Sequence, residues 1–193
     1  MPKIQAATVA EHRAMQRKAI LDAARDILAQ GGSETPSLAA VAKRTGLARS
    51  SIYQYFSSKD DLLEAVIVDM FPRWAAYVAA RIEEESAPAD RALAYVYANL
   101  HLVASGEHAI ARGLAVFARA EFLAESSKVL HDQLRTPLDE ALVALGCEDP
   151  GAMGELIQAV VQRASLMLES GILSEDRARA LTRELLEPYL RSS

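Results

Sequence analysis

Between Ser37 and Lys59 the chain reads SLAAVAKRTGLARSSIYQYFSSK, and this stretch leaves few folds open. Leu38, Val41 and Ala42 recur at i, i+3 and i+4, the spacing that gives a short helix one apolar side. Gly46 follows, with the permissive backbone that a tight helix-to-helix turn needs. Past the turn, Ile52, Tyr55 and Phe56 fall on one side of a second short helix, which leaves Arg49, Ser50, Ser51, Tyr53 and Gln54 pointing outward. Five hydrogen-bonding side chains on one exposed helix suit a groove of DNA.

The rest of the chain carries the same helical period. A first helix is expected from about Glu11 to Gln30, with Ile20, Ala23, Ala24, Ile27 and Leu28 as its buried stripe and Gly31-Gly32 as its stop. Residues 1–11 are weakly periodic and read as a flexible arm. Ser37, after Thr35-Pro36, is the expected N-cap of the next helix, and Ser58 that of a later one, with Asp61 completing an approximate capping box. The helix from Ser58 has the apolar series Leu62, Leu63, Val66, Ile67 and Met70, and Pro72 is expected to kink or divide it before about Glu84. Further helices are expected at about 89–105, 108–122, 127–145, 151–170 and 175–190, separated by Gly106, Gly146, Asp149-Pro150-Gly151 and Gly171, with Pro137 a candidate break. No strand-like alternation interrupts the series. The predicted fold is all-α, a three-helix N-terminal domain (residues 1–57) followed by a helical bundle (residues 58–193).

A net charge of -5 argues at first against a nucleic-acid partner, so its distribution matters more than its total. Residues 1–60 hold nine basic and five acidic side chains, whereas residues 61–193 hold 12 basic and 21 acidic. Such an asymmetry is expected if only one end meets phosphate. Lys3, Arg13, Arg17 and Lys18 are placed to lie against a DNA backbone or simply to be solvated. The single cysteine, Cys147, forms no internal disulfide, and no apolar run reaches the length of about 20 residues that a membrane span needs. A cytoplasmic location is expected.

The segment TGLARSSIYQYFSSKDDLLEAV resembles the recognition-helix signature of TetR-type transcriptional repressors, over about the first third of the chain. The resemblance implies a homodimer with an N-terminal DNA-binding domain and a C-terminal domain that binds a small-molecule effector. It also implies phosphate contacts from Ser37 and Lys59, and dimerisation through the last two helices. One departure stands out: the family usually has Ser or Thr where this chain has Ala48, so the second short helix lacks its side-chain cap.

Arg49 is the base-reading candidate, because its planar donors match guanine, with a phosphate contact as the alternative. Ser50 and Gln54 share its face, and Ser51, Tyr53 and Tyr55 are expected to hold phosphates, Tyr55 sitting also in the apolar stripe. The dimer candidates are Leu156, Val160, Ala164 and Leu168 on one helix, and Leu181, Leu185 and Tyr189 on the other. Each helix must spend part of its face on its own core. For an effector, the aromatic and polar-tipped side chains Trp74, Tyr77, Tyr95, Tyr97, His101, Phe117, Phe122, Gln162 and Met167 suit a mostly apolar cavity, though each alone reads equally as core.

Catalytic signatures are missing. The chain has no HExxH, Walker loop, GxGxxG, GxSxG or cysteine pair, and none of His12, His101, His108 or His131 follows a Glu by three residues as a helical di-iron site would require. No cofactor and no metal are expected. The reading is a ligand-responsive DNA-binding regulator, most simply a repressor released from a palindromic operator. The alternative is a DNA-binding dimer with no small-molecule ligand, architectural or partnered by protein.

Overall fold

The computed structural model describes residues 6–30 and 36–192, and all regular structure among them is helical. In order the helices are α1 (Ala6–Ala29), α2 (Leu38–Thr45), α3 (Arg49–Tyr53), α4 (Lys59–Glu83), α5 (Pro88–Ala104), α6 (Glu107–Phe117), α7 (Ala120–Ala144), α8 (Pro150–Glu169) and α9 (Glu175–Leu190). The expected glycine stop at Gly31-Gly32, the first five residues of the arm and Lys3 lie outside the described residues.

Several boundaries differ from the sequence reading, each for a physical reason. α1 starts at Ala6, not near Glu11, so the inner half of the expected flexible arm is helical. Its first turns are exposed through Ala14, and they are held by helix-forming residues such as Ala, Glu and Met rather than by an apolar stripe. α4 runs unbroken through Pro72, α7 through Pro137 and α9 through Pro188. The residues whose carbonyls these prolines leave without a backbone donor, Val68, Gln133 and Glu184, are all exposed, so water takes the donor's place. α6 ends at Phe117 and α7 starts at Ala120, a break at Ala118-Arg119 that no glycine or proline announces.

The chain forms two compact units. The first holds the residues up to Asp69 together with Ala109–Ala124. The expected domain boundary at residues 57/58 therefore falls inside it. α1 packs on α2 and α2 on α3, around Ile20, Ala24, Ile27, Leu28, Val41, Ile52 and Phe56. The later half of α6 closes this unit: Ile110, Gly113 and Leu114 are buried, and a Cβ at Gly113 would lie 2.9 Å from the Leu28 carbonyl oxygen. Only a glycine lets the two helices approach so closely.

The second unit holds Met70–His108 and Glu125–Ser193. α5 packs against both α8 and α9, which pack on each other. Its core gathers Val78, Ile82, Leu93, Tyr95, Val96 and Leu100 with Leu138, Leu142, Ile157 and Val161. Arg135 on α7 bonds Asp139, Glu155 and the Gly151 carbonyl, tying α7 to the start of α8. Gly154 makes room for that guanidinium, since a Cβ there would stand 2.7 Å from it.

Candidate nucleic-acid interface

The helix-turn-helix is built by caps and by two buried anchors. Ser37 Oγ accepts from the Ala40 amide at 3.1 Å and so starts α2, whose Leu38, Val41 and Ala42 are buried. Gly46 ends it at φ 71°, the left-handed conformation a β-carbon would resist. α3 begins without a side-chain cap: Ala48 has extended geometry, φ -62° and ψ 141°, and its carbonyl accepts from Ser51 at 2.9 Å and Ile52 at 3.3 Å. Ile52 and Phe56 are buried and seat α3 on the unit's core. Arg49, Ser50, Tyr53 and Gln54 are exposed, and Ser51 is half-buried.

Within this surface the side chains already organise one another. The Arg49 guanidinium donates to the Tyr53 hydroxyl at 3.2 Å and lies 5.6 Å from the centre of its ring. Tyr55 behaves differently: its hydroxyl donates to Gln16 Oε1 on α1 at 2.6 Å, so packing claims it before any ligand does. Ser58 Oγ caps α4 at the Asp61 amide, 3.0 Å, but the Asp61 carboxylate turns to the amide of Ser57 at 2.8 Å instead of closing the expected box on Ser58. Lys59 donates to the Phe117 carbonyl at the end of α6, 3.3 Å away, where it satisfies an acceptor the helix leaves free.

The structure also sorts the basic side chains of this unit. Lys18 and Arg25 pair with Asp22, Arg44 with Asp26, and Arg119 with Glu64. Arg13, Arg17, Lys43 and Arg49 have no carboxylate partner among the described residues. Sequence reasoning grouped Lys18 with Arg13 and Arg17; only the fold separates them, because Asp22 is one helical turn from Lys18. Arg13 and Arg17 instead lie 5.7 Å and 5.6 Å over the rings of Tyr55 and Phe56.

The effector candidates do not gather around one cavity. In the first unit, Phe117 and Phe122 are half-buried at the end of α6 and the start of α7. In the second, Trp74 is buried and its indole N–H donates to Glu107 at 2.9 Å, while Tyr77 stacks on His101 with ring centres 5.6 Å apart. His101 is exposed and bonds Glu175. Tyr95 is 1% exposed and donates to Gln158; burial pushes its pKa up to about 12, with Arg135 pulling the other way. Tyr97 lies beneath Arg179, Gln162 is exposed, and Met167 is half-buried. Of these, only Tyr97 lines a described concavity, a depression of about 130 Å³ with Glu85, Asp90, Leu93, Ala94 and Arg183.

The dimer candidates divide in two. Leu156 and Leu185 are 61% and 62% exposed, large apolar side chains that nothing in the chain covers. Val160, Leu168 and Leu181 are half-buried, and Tyr189 is exposed with its hydroxyl 3.1 Å from Cys147 Sγ. Ala164 faces inward: it is buried in the chain's own core, so its place on the outer stripe is corrected. The outer face adds Leu166 and Ile172, both at least half exposed, which the sequence stripe missed because it followed the inward-facing positions. Beside them, Arg183 and Arg191 hydrogen-bond to Glu187 and hold its carboxyl down to about 2.

An all-helical chain with a capped α2, a left-handed glycine turn and an exposed polar α3 on two buried anchors is a helix-turn-helix protein. Residues 20–66 match the family of bacterial regulatory proteins called tetR, and the chain is a TetR-type, DNA-binding transcriptional regulator. Over 93% of its length it is 24% identical to the HTH-type transcriptional regulator BetI of Rhizobium meliloti, covering 91% of that protein. Its fold is similar to that of a transcriptional regulator from Rhodococcus sp. Rha1, with a TM-score of 0.78 at 22% identity over 91% of this chain and 96% of that one. It is likewise similar to the regulator FadR of Bacillus subtilis in complex with stearoyl-CoA, with a TM-score of 0.66 at 20% identity over 88% of this chain and 95% of that one. No described helix is long and apolar enough to cross a membrane.

Proposed function

We propose that the protein is a homodimeric repressor whose two α3 helices enter successive major grooves of a palindromic operator, about 34–36 Å apart, and that a small molecule releases it. The observation that carries the DNA half of this reading is the exposed row Arg49, Ser50, Tyr53 and Gln54 on a helix anchored by Ile52 and Phe56. Arg49 reads a base, Tyr53 and Ser51 hold phosphates, and Ser37 and Lys59 hold phosphates at the two flanks. Lys59 keeps its carbonyl contact to Phe117 or exchanges it for the phosphate. Tyr55 positions α3 on α1 instead of touching DNA. The exposed Leu156 and Leu185 support a partner surface on α8 and α9, which two-fold recognition of a palindrome requires.

For the effector, coenzyme A thioesters are the class to test first, because FadR of Bacillus subtilis has been solved with stearoyl-CoA. DNA fragments selected by the protein from genomic DNA, challenged with a panel of acyl-CoA chain lengths, provide the test. Release must be reciprocal, so operator DNA has to weaken the effector by the same factor as the effector weakens DNA, usually 5- to 150-fold, or about 1–3 kcal/mol. An effector whose affinity ignores the operator refutes the scheme. The second reading, a DNA-binding dimer with no small ligand, is favoured by the closed packing around Tyr95 and Leu100, which are 1% and 0% exposed.

A further inference from the structure

The largest concavity described on the first unit, about 370 Å³, lies between α1 and the end of α3. Ala10, Arg13, Ala14 and Arg17 form one wall, and Gln54 and Tyr55 the other. Two guanidiniums thus share one hollow with no carboxylate partner among the described residues, while Lys18, Arg25 and Arg44 on and beside the same helix are all paired. Like charges brought together without compensation repel, and an anion between them removes that cost.

The hollow is also organised. Arg13 lies 5.7 Å over the Tyr55 ring and Arg17 5.6 Å over the Phe56 ring, so each guanidinium is propped on an aromatic face with its N–H edge left free for an acceptor. Tyr55 is itself fixed by its hydroxyl bond to Gln16 at 2.6 Å. Ala10 and Ala14, one turn apart on α1, keep the space open. Gln54 links it to the polar face of α3, so an anion seated here continues the surface that presents Arg49 and Tyr53.

We propose that this hollow seats a backbone phosphate of duplex DNA beside the groove that α3 enters, with Arg13 and Arg17 as its ligands. The proposal rests on the DNA-binding reading of α3. Such a contact fixes the protein's register on the duplex without reading sequence. A small free anion has the same chemistry, and the test separates the two.

The full chain and its R13Q/R17Q variant are titrated across a salt series against two duplexes, one selected from genomic DNA and one of random sequence. Each cation withdrawn from the phosphates takes about 0.9 from the slope of log affinity against log salt, so the variant's slope is expected to be shallower by about 1.8 on both duplexes. The ratio of the two affinities stays constant, thermal unfolding is unchanged, and R13K/R17K restores most of the slope. An unaltered slope, or a weakening confined to the selected sequence, overturns the proposal while leaving α3 as a DNA reader. Failure of the unmodified chain to bind either duplex removes the DNA-binding reading and this proposal with it. Inorganic phosphate is expected to displace duplex no better than chloride at equal ionic strength. Stronger displacement by phosphate would make the hollow a small-anion site and overturn the assignment to DNA.

Discussion

Tyr95 offers a quantitative test of how closed the second unit is. The side chain on α5 is 1% exposed and its hydroxyl donates to Gln158 on α8. Burial raises its pKa from 10.0 to about 12, Arg135 lowers it, and Asp139 and Glu155 add to the rise. Because the folded pKa is raised, the unfolded chain loses its proton first, and stability present below pH 10 is lost as pH climbs towards 12. At about 1.36 kcal/mol per unit, two units amount to about 2.7 kcal/mol. Tyr95→Phe removes both the bond and the titration. At neutral pH it leaves the Gln158 carbonyl without that donor and is expected to cost about 1–3 kcal/mol. The variant has no phenol to ionise at this site, so the wild-type advantage is expected to shrink by about 2–3 kcal/mol between pH of about 8 and about 12. Urea unfolding midpoints of the two proteins across that range measure the difference, with the other tyrosines common to both. A gap that stays constant or widens refutes the account, since the hydroxyl would then be ionising as freely in the folded protein as in the unfolded chain.

Other expectations concern the interface and its supports. Ala48→Ser supplies the missing cap of α3, but the Ser51 amide is already taken by the Ala48 carbonyl at 2.9 Å, so the gain is at the low end of the usual range. At about 0.5–1 kcal/mol it raises the melting temperature by about 1–3 °C, and a clear drop contradicts the capping geometry. Gly113→Ala gains about 1 kcal/mol of helix propensity but drives a Cβ to 2.9 Å from the Leu28 carbonyl, which cannot rotate aside. The overpacking, about 1–3 kcal/mol, should prevail, and thermal melting followed by circular dichroism would show a net loss. Tyr53→Ala weakens DNA binding and leaves the oligomeric state unchanged by light scattering; a variant that dissociates instead would place Tyr53 in a structural contact. Leu185→Asp puts a charge on the exposed α9 face and is expected to shift the same measurement towards monomer, with no change in helix content.

The features legible along the chain are those that rest on local chemistry. Ser37 caps α2 because a serine oxygen three residues before the Ala40 amide needs nothing from elsewhere, and Gly46 turns the chain because only its own φ is at issue. The missing cap at Ala48 and the burial of Ile52 and Phe56 were legible for the same reason. Tertiary structure decided whatever depended on which neighbour arrives from a distance. Pro72 and Pro137 stay inside continuous helices because the carbonyls they leave free belong to exposed positions. Ala164 turns inward and Leu156 outward according to where α5 and α9 pack. Tyr55, on the apolar side of α3 by spacing, has its hydroxyl claimed by Gln16, 39 residues earlier. The cations divide most clearly of all: Arg44 is neutralised by Asp26 on another helix, whereas Arg13 and Arg17 are set over aromatic rings with their donors unspent. Charge can be counted along a chain, but its availability to a partner depends on the distance to the nearest carboxylate, and that distance exists only once the helices have packed.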